Sequence, residues 1–360
     1  MISNRRTAGT VATVSLLALM VVTALAFGAA GGALAQDGDG LAISEYNGDT
    51  DRYVAVQGDR CVQIDPLGDG HRTVEEYYDY RNPGTDPSSY TYSSHGTTHL
   101  QEDDTSLLFL HEGSDGLSLV FVHDRYEGDT EGGAATLLFK NLPEDGEWVV
   151  EDDNYDGSES TWDHAETSSR ITSVWAEGRT DGGAFNGLEG PFAVEITPYF
   201  NDLADYRDGP GQITDWQLLS GEDHDPNRTS LNMNEPVTIR TGSCVETTSV
   251  SANQTATVGE PVDVEATITN NGAREETVTV PIAVDGEVIE EEEVTVAANG
   301  SETLTTSVVL DEAKRYAASV GAESVTIHAQ EPEGDDMPGF GVGVALVALI
   351  AAAGFVRRRG

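Results

Sequence analysis

Apolar and polar residues alternate most regularly between residues 247 and 330. The alternation is strict over 262–269 and again over 278–284, and a period of two predicts strands with one buried and one solvated face. Asp285-Gly286 and Asn299-Gly300 follow predicted strands, and both dipeptides favour tight hairpin turns. We therefore predict an immunoglobulin-like sandwich of about 80 residues in this part of the chain.

Residues 41–245 show a less regular pattern that predicts a larger β-rich domain. Short apolar, β-branched or aromatic runs are bounded by Gly, Asp, Asn or Pro, as is typical of strands. The predicted strands are 53–56, 61–64, 106–111, 117–123, 134–139, 147–151, 171–176, 192–197, 216–219 and 237–240. The run 117–122 is apolar on both faces, which predicts a strand in the middle of a sheet. With one short helix predicted at 73–81, the pattern favours an all-β, jelly-roll-like sandwich.

The N-terminus has the three parts of a secretory signal peptide. Arg5-Arg6 precede an apolar stretch at 11–27, and Ala33-Leu34-Ala35 ends a small-residue exit before an acidic segment. We predict a signal peptide at 1–35 that is cleaved after Ala35. The residues after the arginine pair fit the twin-arginine route poorly, so we expect the general secretory route.

The C-terminus reads as a second targeting segment. An acidic linker at 331–337 leads to Pro338-Gly339-Phe340, then to an apolar run at 341–356 and three arginines at 357–359. An apolar run of about 17 residues is near the minimum for crossing a bilayer, and the arginines after it favour a cytoplasmic end. The rest of the chain would then lie outside the cell.

This tail resembles the PGF-CTERM sorting signal of archaeal, mostly haloarchaeal, surface proteins. The order and spacing of the acidic spacer, Pro338-Gly339-Phe340, the apolar run and the arginines all match over 338–360. The resemblance implies that an archaeosortase removes the apolar segment and that a lipid replaces it as the anchor. A plain C-terminal transmembrane anchor is the alternative, and both place the protein on the outer face of the membrane.

The charge of the chain indicates that the protein works in a very saline medium. It has 63 acidic residues against 19 Lys and Arg, a net charge of −44, and removal of the two predicted signals leaves −49. The only lysines are Lys140 and Lys314. Self-repulsion of this size would strain a compact fold at low ionic strength, and a very saline medium would screen it. The absence of a basic face also excludes nucleic-acid binding.

The two cysteines, Cys61 and Cys244, lie near the two ends of the first predicted domain. In an oxidising exterior such a pair is more often bridged than free, so we predict a disulfide that joins the first and last strands of that domain. Two free, buried thiols are the alternative.

The second predicted domain resembles a CARDB-type module, an adhesion-related unit of microbial surface proteins. The resemblance rests on Gly259-Glu260-Pro261-Val262, on 268–272, on Val284-Asp285-Gly286 and on 298–301. It covers the whole of 247–330, it implies an immunoglobulin-type sandwich, and no catalytic residue comes with it.

One acidic loop matches the spacing of a calcium-binding loop. Asp152, Asn154, Asp156, Ser158 and Asp163 supply oxygen atoms, and Gly157 stands where such loops turn sharply. The last ligand is Asp instead of Glu, and the loop follows a strand instead of a helix. A solvated acidic turn without metal is therefore the alternative.

Four histidines are weaker candidates for a metal site or a paired site. His95 and His99 are four residues apart and would grip zinc on a helix, although their Gly and Thr neighbours favour a loop or strand. His111 and His123 end the two strands of a predicted hairpin and would face each other there. No nucleophile, zinc-protease or phosphate-loop motif is present, so no catalytic residue is predicted.

Three sequons, at Asn227, Asn253 and Asn299, fall in predicted loops or at strand ends, and we expect at least one N-glycan. The sequence thus predicts a salt-adapted surface protein with a structural or adhesive role within or beside the surface layer. One alternative is a calcium-dependent carbohydrate-binding protein that uses exposed Trp162, Trp175 and Tyr155 for stacking. The other is a secreted hydrolase. Apart from calcium in the first alternative, the sequence predicts no cofactor.

Overall fold

The computed structural model describes residues 52–81, 93–206 and 211–332. The predicted signal peptide at 1–35, the sorting signal at 338–360 and most of the linker at 331–337 lie outside the described residues. Within the described ranges, no helix has the length and apolar character that a membrane crossing requires. Strands make up 55% of the described residues and helices only 3%, which confirms the predicted all-β class.

Among its described residues, the first β domain has thirteen strands, one α-helix and one short 3₁₀ helix at Asn201–Leu203. In chain order the elements are β1 (Tyr53–Gln57), β2 (Arg60–Ile64), α1 (Val74–Tyr78), β3 (Thr105–Gly113), β4 (Gly116–His123), β5 (Gly132–Lys140), β6 (Glu147–Glu151), β7 (Thr161–His164), β8 (Ser168–Ala176), β9 (Asp181–Asn186), β10 (Ala193–Phe200), β11 (Asp215–Ser220), β12 (Asn227–Ser230) and β13 (Val237–Thr241).

These strands form two sheets that pack face to face. The seven-stranded sheet has the order β2-β1-β13-β10-β5-β8-β7, and the six-stranded sheet has the order β12-β11-β3-β4-β9-β6. All neighbours are antiparallel except β3 and β11, which pair in parallel. Side chains from both sheets, including Phe121, Phe139, Ile196 and Trp216, make one buried core between them.

The six-stranded sheet is apolar on its outer face as well. Leu107, Phe109, Val120 and Val122 point away from the main core and pack in a second buried cluster under α1 and the segments on either side of it. This cover explains why β4 is buried along nearly its whole length, and β4 lies between β3 and β9 as predicted from its two apolar faces.

Helix α1 is shorter than the predicted 73–81. Thr73 caps its start with a capping box, in which the hydroxyl accepts from the Glu76 amide and the Glu76 carboxylate accepts from the Thr73 amide. Asp79 ends the helix in the left-handed conformation, at a φ of 46°. The apolar periodicity of 73–81 does not indicate this helix end. Asp tolerates the left-handed region, but an Asp in the sequence is only a weak signal of it.

Strand β9 was not predicted because its sequence is rich in glycine. Gly182 and Gly183 lie where a side chain has no room: a Cβ atom at Gly182 would lie 2.2 Å from the carbonyl oxygen of Phe121, and one at Gly183 would lie 2.5 Å from the Trp162 ring. The glycines therefore allow close packing inside the sheet. Strands β7 and β12, at the edges of the two sheets, are short and polar and were also missed.

The second β domain contains two smaller sheets. Its strands are β14 (Val245–Ala252), β15 (Thr255–Thr257), β16 (Pro261–Asn270), β17 (Glu276–Val284), β18 (Glu287–Val296), β19 (Ser301–Val309), β20 (Arg315–Val320) and β21 (Glu323–Gln330). The orders β14-β16-β19 and β15-β21-β20-β17-β18 form a sandwich around a core of mainly Val, Ile and Ala. Edge strand β18 carries four consecutive glutamates at 290–293, and charge on an edge opposes pairing with other chains.

A disulfide bond joins Cys61 in β2 to Cys244, which directly precedes β14, and their Cα atoms are 5.7 Å apart. The bridge closes a sequence separation of 183 residues. It thus connects the start of the first β domain to the point where the chain enters the second.

Replacing both cysteines by serine should lower the free energy of unfolding of the ectodomain by about 2–5 kcal/mol. The reason is that the disulfide closes a long loop and so reduces the conformational entropy of the unfolded chain. Denaturant unfolding at constant high salt measures the change. Reduction of the wild-type protein is the matched control and should give the same loss. Equal stability of the oxidised, reduced and serine forms would contradict the prediction.

Candidate functional site

The cover over the outer face of the six-stranded sheet carries most of the chemically unusual side chains. Tyr77 and Tyr78 of α1 are fully buried there, and each hydroxyl donates a hydrogen bond to a carboxylate. Tyr77 donates to Asp223 in the loop after β11, and Tyr78 donates to Asp152 after β6. The helix therefore fixes two acidic side chains from two different loops.

Asp152 is the more deeply buried of the two acids. Asp152 is 0% exposed. Its Oδ2 accepts a hydrogen bond from the Tyr78 hydroxyl at 2.8 Å, and its Oδ1 has no hydrogen-bond partner. Burial, followed by repulsion from Asp181 and Asp153, raises the pKa of Asp152 well above its ordinary value. This environment favours the protonated, neutral form of the carboxyl group.

Two further carboxyl groups share this environment. Asp181 accepts from the Ser160 hydroxyl at 2.7 Å and from two backbone amides, and burial raises its pKa in spite of these bonds. Burial also raises the pKa of Asp153 to about 6, although Arg179 opposes the shift. Together with Asp152 these groups form a buried carboxyl cluster, which no motif in the sequence marks.

The predicted calcium loop does not gather its ligands. Asp152 turns inward to Tyr78, the Asn154 amide bonds to Glu151, and Asp163 lies in β7 opposite Arg170. Across the described ranges, Asp152, Asp156 and Asp163 are not brought within mutual ligand distance. Ser158 instead accepts from the Ser160 amide. The loop as folded lacks the predicted ligand set because its first acid is drawn into the protein interior.

The aromatic side chains predicted to form a stacking surface are mostly internal. Trp175 is 4% exposed and donates its ring N–H to Asp124. Trp162 packs against Phe121 and Trp148 and donates to the carbonyl oxygen of Asp152. The prediction of an exposed aromatic platform from Trp162, Trp175 and Tyr155 is therefore wrong for Trp175, which is buried, while Trp162 and Tyr155 are half-buried.

Neither of the two predicted histidine pairs comes together in the structure. His95 contacts Asp79 at 3.5 Å, while His99 turns to a different loop. His111 and His123 do not face each other, because the β3–β4 register places them opposite Ser118 and Ser106. His111 stacks on Tyr77 in the cover, whereas His123 lies in the main core against Trp175.

Burial alone lowers the pKa of His123 to about 3, so this ring is neutral at physiological pH. Its Nδ1 is hydrogen-bonded to the Ser106 hydroxyl at 2.9 Å. The structure thus gives His123 a packing role inside the core.

One cluster with metal-ligating chemistry does form. The ligand atoms of His99, Asp223 and His224 all lie within 4.8 Å of one another, and no other such group of three occurs in the part of the chain that the structure describes. His99 and Asp223 are 124 positions apart, so sequence spacing gave no sign of the cluster. The Asp-His pair at 223–224 just after a predicted strand was the one available local signal.

The three sequon asparagines are all exposed. Asn227 begins the edge strand β12, Asn253 lies between β14 and β15, and Asn299 lies in the turn between β18 and β19. Their positions leave room for glycans, and their occupancy remains a prediction.

The junction between the two β domains contains the remaining polar network. The Glu276 carboxylate at the start of β17 has a side chain only 9% exposed, and it accepts from the Gln63 amide and from the backbone N–H of Cys244. Arg52 lies 3.8 Å from Glu276 and donates to the carbonyl oxygen of Thr277 at 2.9 Å. A second ion pair, Arg274 to Asp65 at 2.7 Å, crosses the same boundary.

Replacing Asp152 by Asn should stabilise the protein at pH 8 by about 1–3 kcal/mol, because the amide still accepts from Tyr78 and is neutral at pH 8 without having to bind a proton. The pKa values of these acids are higher in the folded protein than in the unfolded chain. They therefore contribute stability below about pH 4, and this contribution is lost as the pH rises through the pKa values of the folded protein, about 6 for Asp153. The advantage of the variant over wild type should therefore grow from pH 4 to pH 8.

Denaturant unfolding at several pH values and constant salt measures this difference. Asp156→Asn changes an exposed acid in the same loop and should show no growing advantage. A variant Asp152→Asn that is less stable than wild type at pH 8 would show that the ionised carboxylate is the stabilising form.

The PGF-CTERM motif family matches residues 337–359. No curated protein matches the sequence. Among solved structures, the CARDB domain of the PF1109 protein from Pyrococcus furiosus, described in complex with di-metal ions, is 14% identical and covers 25% of this chain and 88% of its own, with a TM-score of 0.21.

Two longer alignments are equally distant. A putative membrane anchored protein from Corynebacterium diphtheriae is 9% identical over 65% of this chain and 55% of its own, with a TM-score of 0.19. Red sea bream transglutaminase is 11% identical over 60% of this chain and 29% of its own, with a TM-score of 0.24. The chain ends in a PGF-CTERM motif, a sorting signal processed by archaeosortase, and this motif indicates a membrane-anchored protein of the cell surface.

Proposed function

We propose that this protein is a structural or adhesive component of the cell envelope, within or beside the surface layer. In this proposal the second β domain is a stalk next to the membrane anchor, and it presents the first β domain outward. The sorting signal and the two ordered β domains before it support this arrangement.

The observation that carries the proposal is the junction between the two β domains. The Cys61–Cys244 disulfide, the nearly buried Glu276 and the two arginines that cross the boundary hold the domains together at several points. A stalk must pass force from the anchor to the outer domain, and a junction held by a covalent bond and buried hydrogen bonds resists bending better than a free linker.

The distribution of charge supports a highly saline exterior. Of the few cationic side chains in the chain, Arg52 and Arg274 are placed at the domain junction, while the acids cover exposed loops and the β18 edge. Salt would screen the remaining repulsion and leave the short-range pairs at the junction in place. N-glycans on the exposed sequons would add a further hydrated layer.

The chemistry of the site favours this role over the two alternatives that the sequence left open. A calcium-dependent carbohydrate-binding site would need the loop ligands to converge and an exposed aromatic surface, whereas Asp152 turns inward away from the other loop ligands and Trp175 is buried. A hydrolase would need a nucleophile aligned with a base. Ser106 and His123 do share a hydrogen bond, but both are fully buried in the core.

A complementation experiment in an archaeal host that processes the motif tests the proposal. Cells lacking the gene would receive the full chain, a chain with Pro338, Gly339 and Phe340 replaced by alanine, or a chain with both cysteines replaced by serine. Surface labelling of intact cells measures anchoring, and attachment to surfaces together with envelope integrity measures function.

The full chain should restore both measurements. The motif variant should fail to reach its anchored form and should not restore attachment or integrity. The serine variant should reach the surface and restore function only in part, because its junction is weakened. Full restoration by protein that is not anchored would contradict a structural role at the envelope.

A further inference from the structure

The cluster of His99, Asp223 and His224 lies on the outer side of the first β domain, where two loops meet. His99 lies in the turn that leads towards β3, and the two other residues lie in the turn between β11 and β12. Leu100, which follows His99, and Leu219 of β11 pack in the same buried cluster of the cover, so the His99 turn lies over the sheet near the end of β11. The fold thus brings together three side chains that the sequence separates.

We propose that this cluster is a binding site for a divalent transition-metal ion of the zinc class. Two imidazoles and one carboxylate are ligands that zinc takes in proteins, with a water or an external group as the fourth. Ligand atoms of a tetrahedral zinc site are about 3.3 Å apart, given metal–ligand bonds of about 2.0–2.1 Å. The His99 Nε2 to Asp223 Oδ1 distance is 3.2 Å, so this pair has the required spacing.

His224 completes the set with a small adjustment. Its ring centroid is 5.3 Å from that of His99, and its ligand atom lies within 4.8 Å of the other two. Both histidines are exposed, so a rotation of the His224 ring meets no packed core. The exposed side also leaves access for a water molecule or for a ligand from another protein.

Supporting contacts hold the two loops in place. The Asp223 carboxylate accepts a hydrogen bond from the hydroxyl of buried Tyr77, which fixes its orientation. Arg228 in β12 donates to the carbonyl oxygen of Leu100 at 2.6 Å and so ties the His99 turn to the strand after the Asp223 turn. Hydrogen bonds to the ligands of a metal are a common feature of metal sites, because they set ligand orientation.

The two imidazoles determine which metal the site would take. In a chain with 63 acidic residues, oxygen ligands for calcium and magnesium occur over the whole surface and give no selectivity. Imidazole nitrogens favour zinc, nickel and copper over these hard cations. We therefore expect one zinc-class site that is distinguishable from diffuse binding of cations to the acidic surface.

Calorimetric titration of the folded ectodomain with zinc chloride tests the inference, at constant high salt and with excess magnesium to occupy non-specific acidic sites. The wild-type protein should bind one equivalent of zinc and should melt at a higher temperature with zinc than with a chelator. His99→Ala and His224→Ala should each weaken binding at least tenfold and should abolish the zinc-dependent shift of the melting temperature.

Two matched variants serve as controls. His71→Ala removes an exposed histidine outside the cluster, and Asp225→Asn removes an exposed acid next to it, and both should bind as wild type does. Melting without metal verifies that each variant is folded, and His224→Gln provides a milder substitution should His224→Ala not fold. Absence of stoichiometric zinc binding by wild type, or equal binding by wild type and both histidine variants, would overturn the proposal.

Discussion

The arrangement of the two β domains depends on their junction, which centres on the nearly buried carboxylate of Glu276 beside the Cys61–Cys244 disulfide. A charge in this position requires donors, and it receives them from Gln63 of the first domain and from the backbone of Cys244, with Arg52 close by. The disulfide at Cys244 holds these donors in place. In a chain with a net charge of −44, such a junction holds only where local donors outweigh the general repulsion.

The second determining feature is the sheet with two apolar faces. Because the main core covers only one face of the six-stranded sheet, the other needs the cover made by α1 and its neighbouring segments. The cover buries two tyrosines, and their hydroxyl groups need acceptors, which Asp152 and Asp223 supply. The buried carboxyl cluster and the proposed metal site are thus both consequences of covering this face.

The sequence predicted the fold better than the site. Alternation in the second domain and the two apolar faces of β4 identified strands correctly, because burial on one or both faces leaves a direct trace in the residue pattern. Strand β9 was missed because Gly182 and Gly183 are required by close packing across the sheet, and their local pattern resembles that of a loop. The sorting signal was identified because its order and spacing are local.

The positions of the candidate site residues depend on contacts that no local sequence pattern indicates. Asp152 has the spacing of a calcium ligand, but the burial of Tyr78 draws it into the interior. His99 has the spacing of a pair with His95, four residues away, whereas its partners lie after β11, and the packing of Leu100 against the outer face of the sheet brings them together. Side-chain direction and the packing of the cover decide both outcomes, and neither can be obtained from the spacing of residues in the chain.

The fixed junction is the central claim, and the distance between the two β domains tests it most directly. Spin labels at the exposed positions Glu189 and Glu291, one in each domain, would be measured by pulsed electron paramagnetic resonance at constant high salt. The account predicts one narrow distance distribution in the wild type, and a broad one when Glu276→Ala is combined with loss of the disulfide. A distribution that is broad in the oxidised wild-type protein would contradict it.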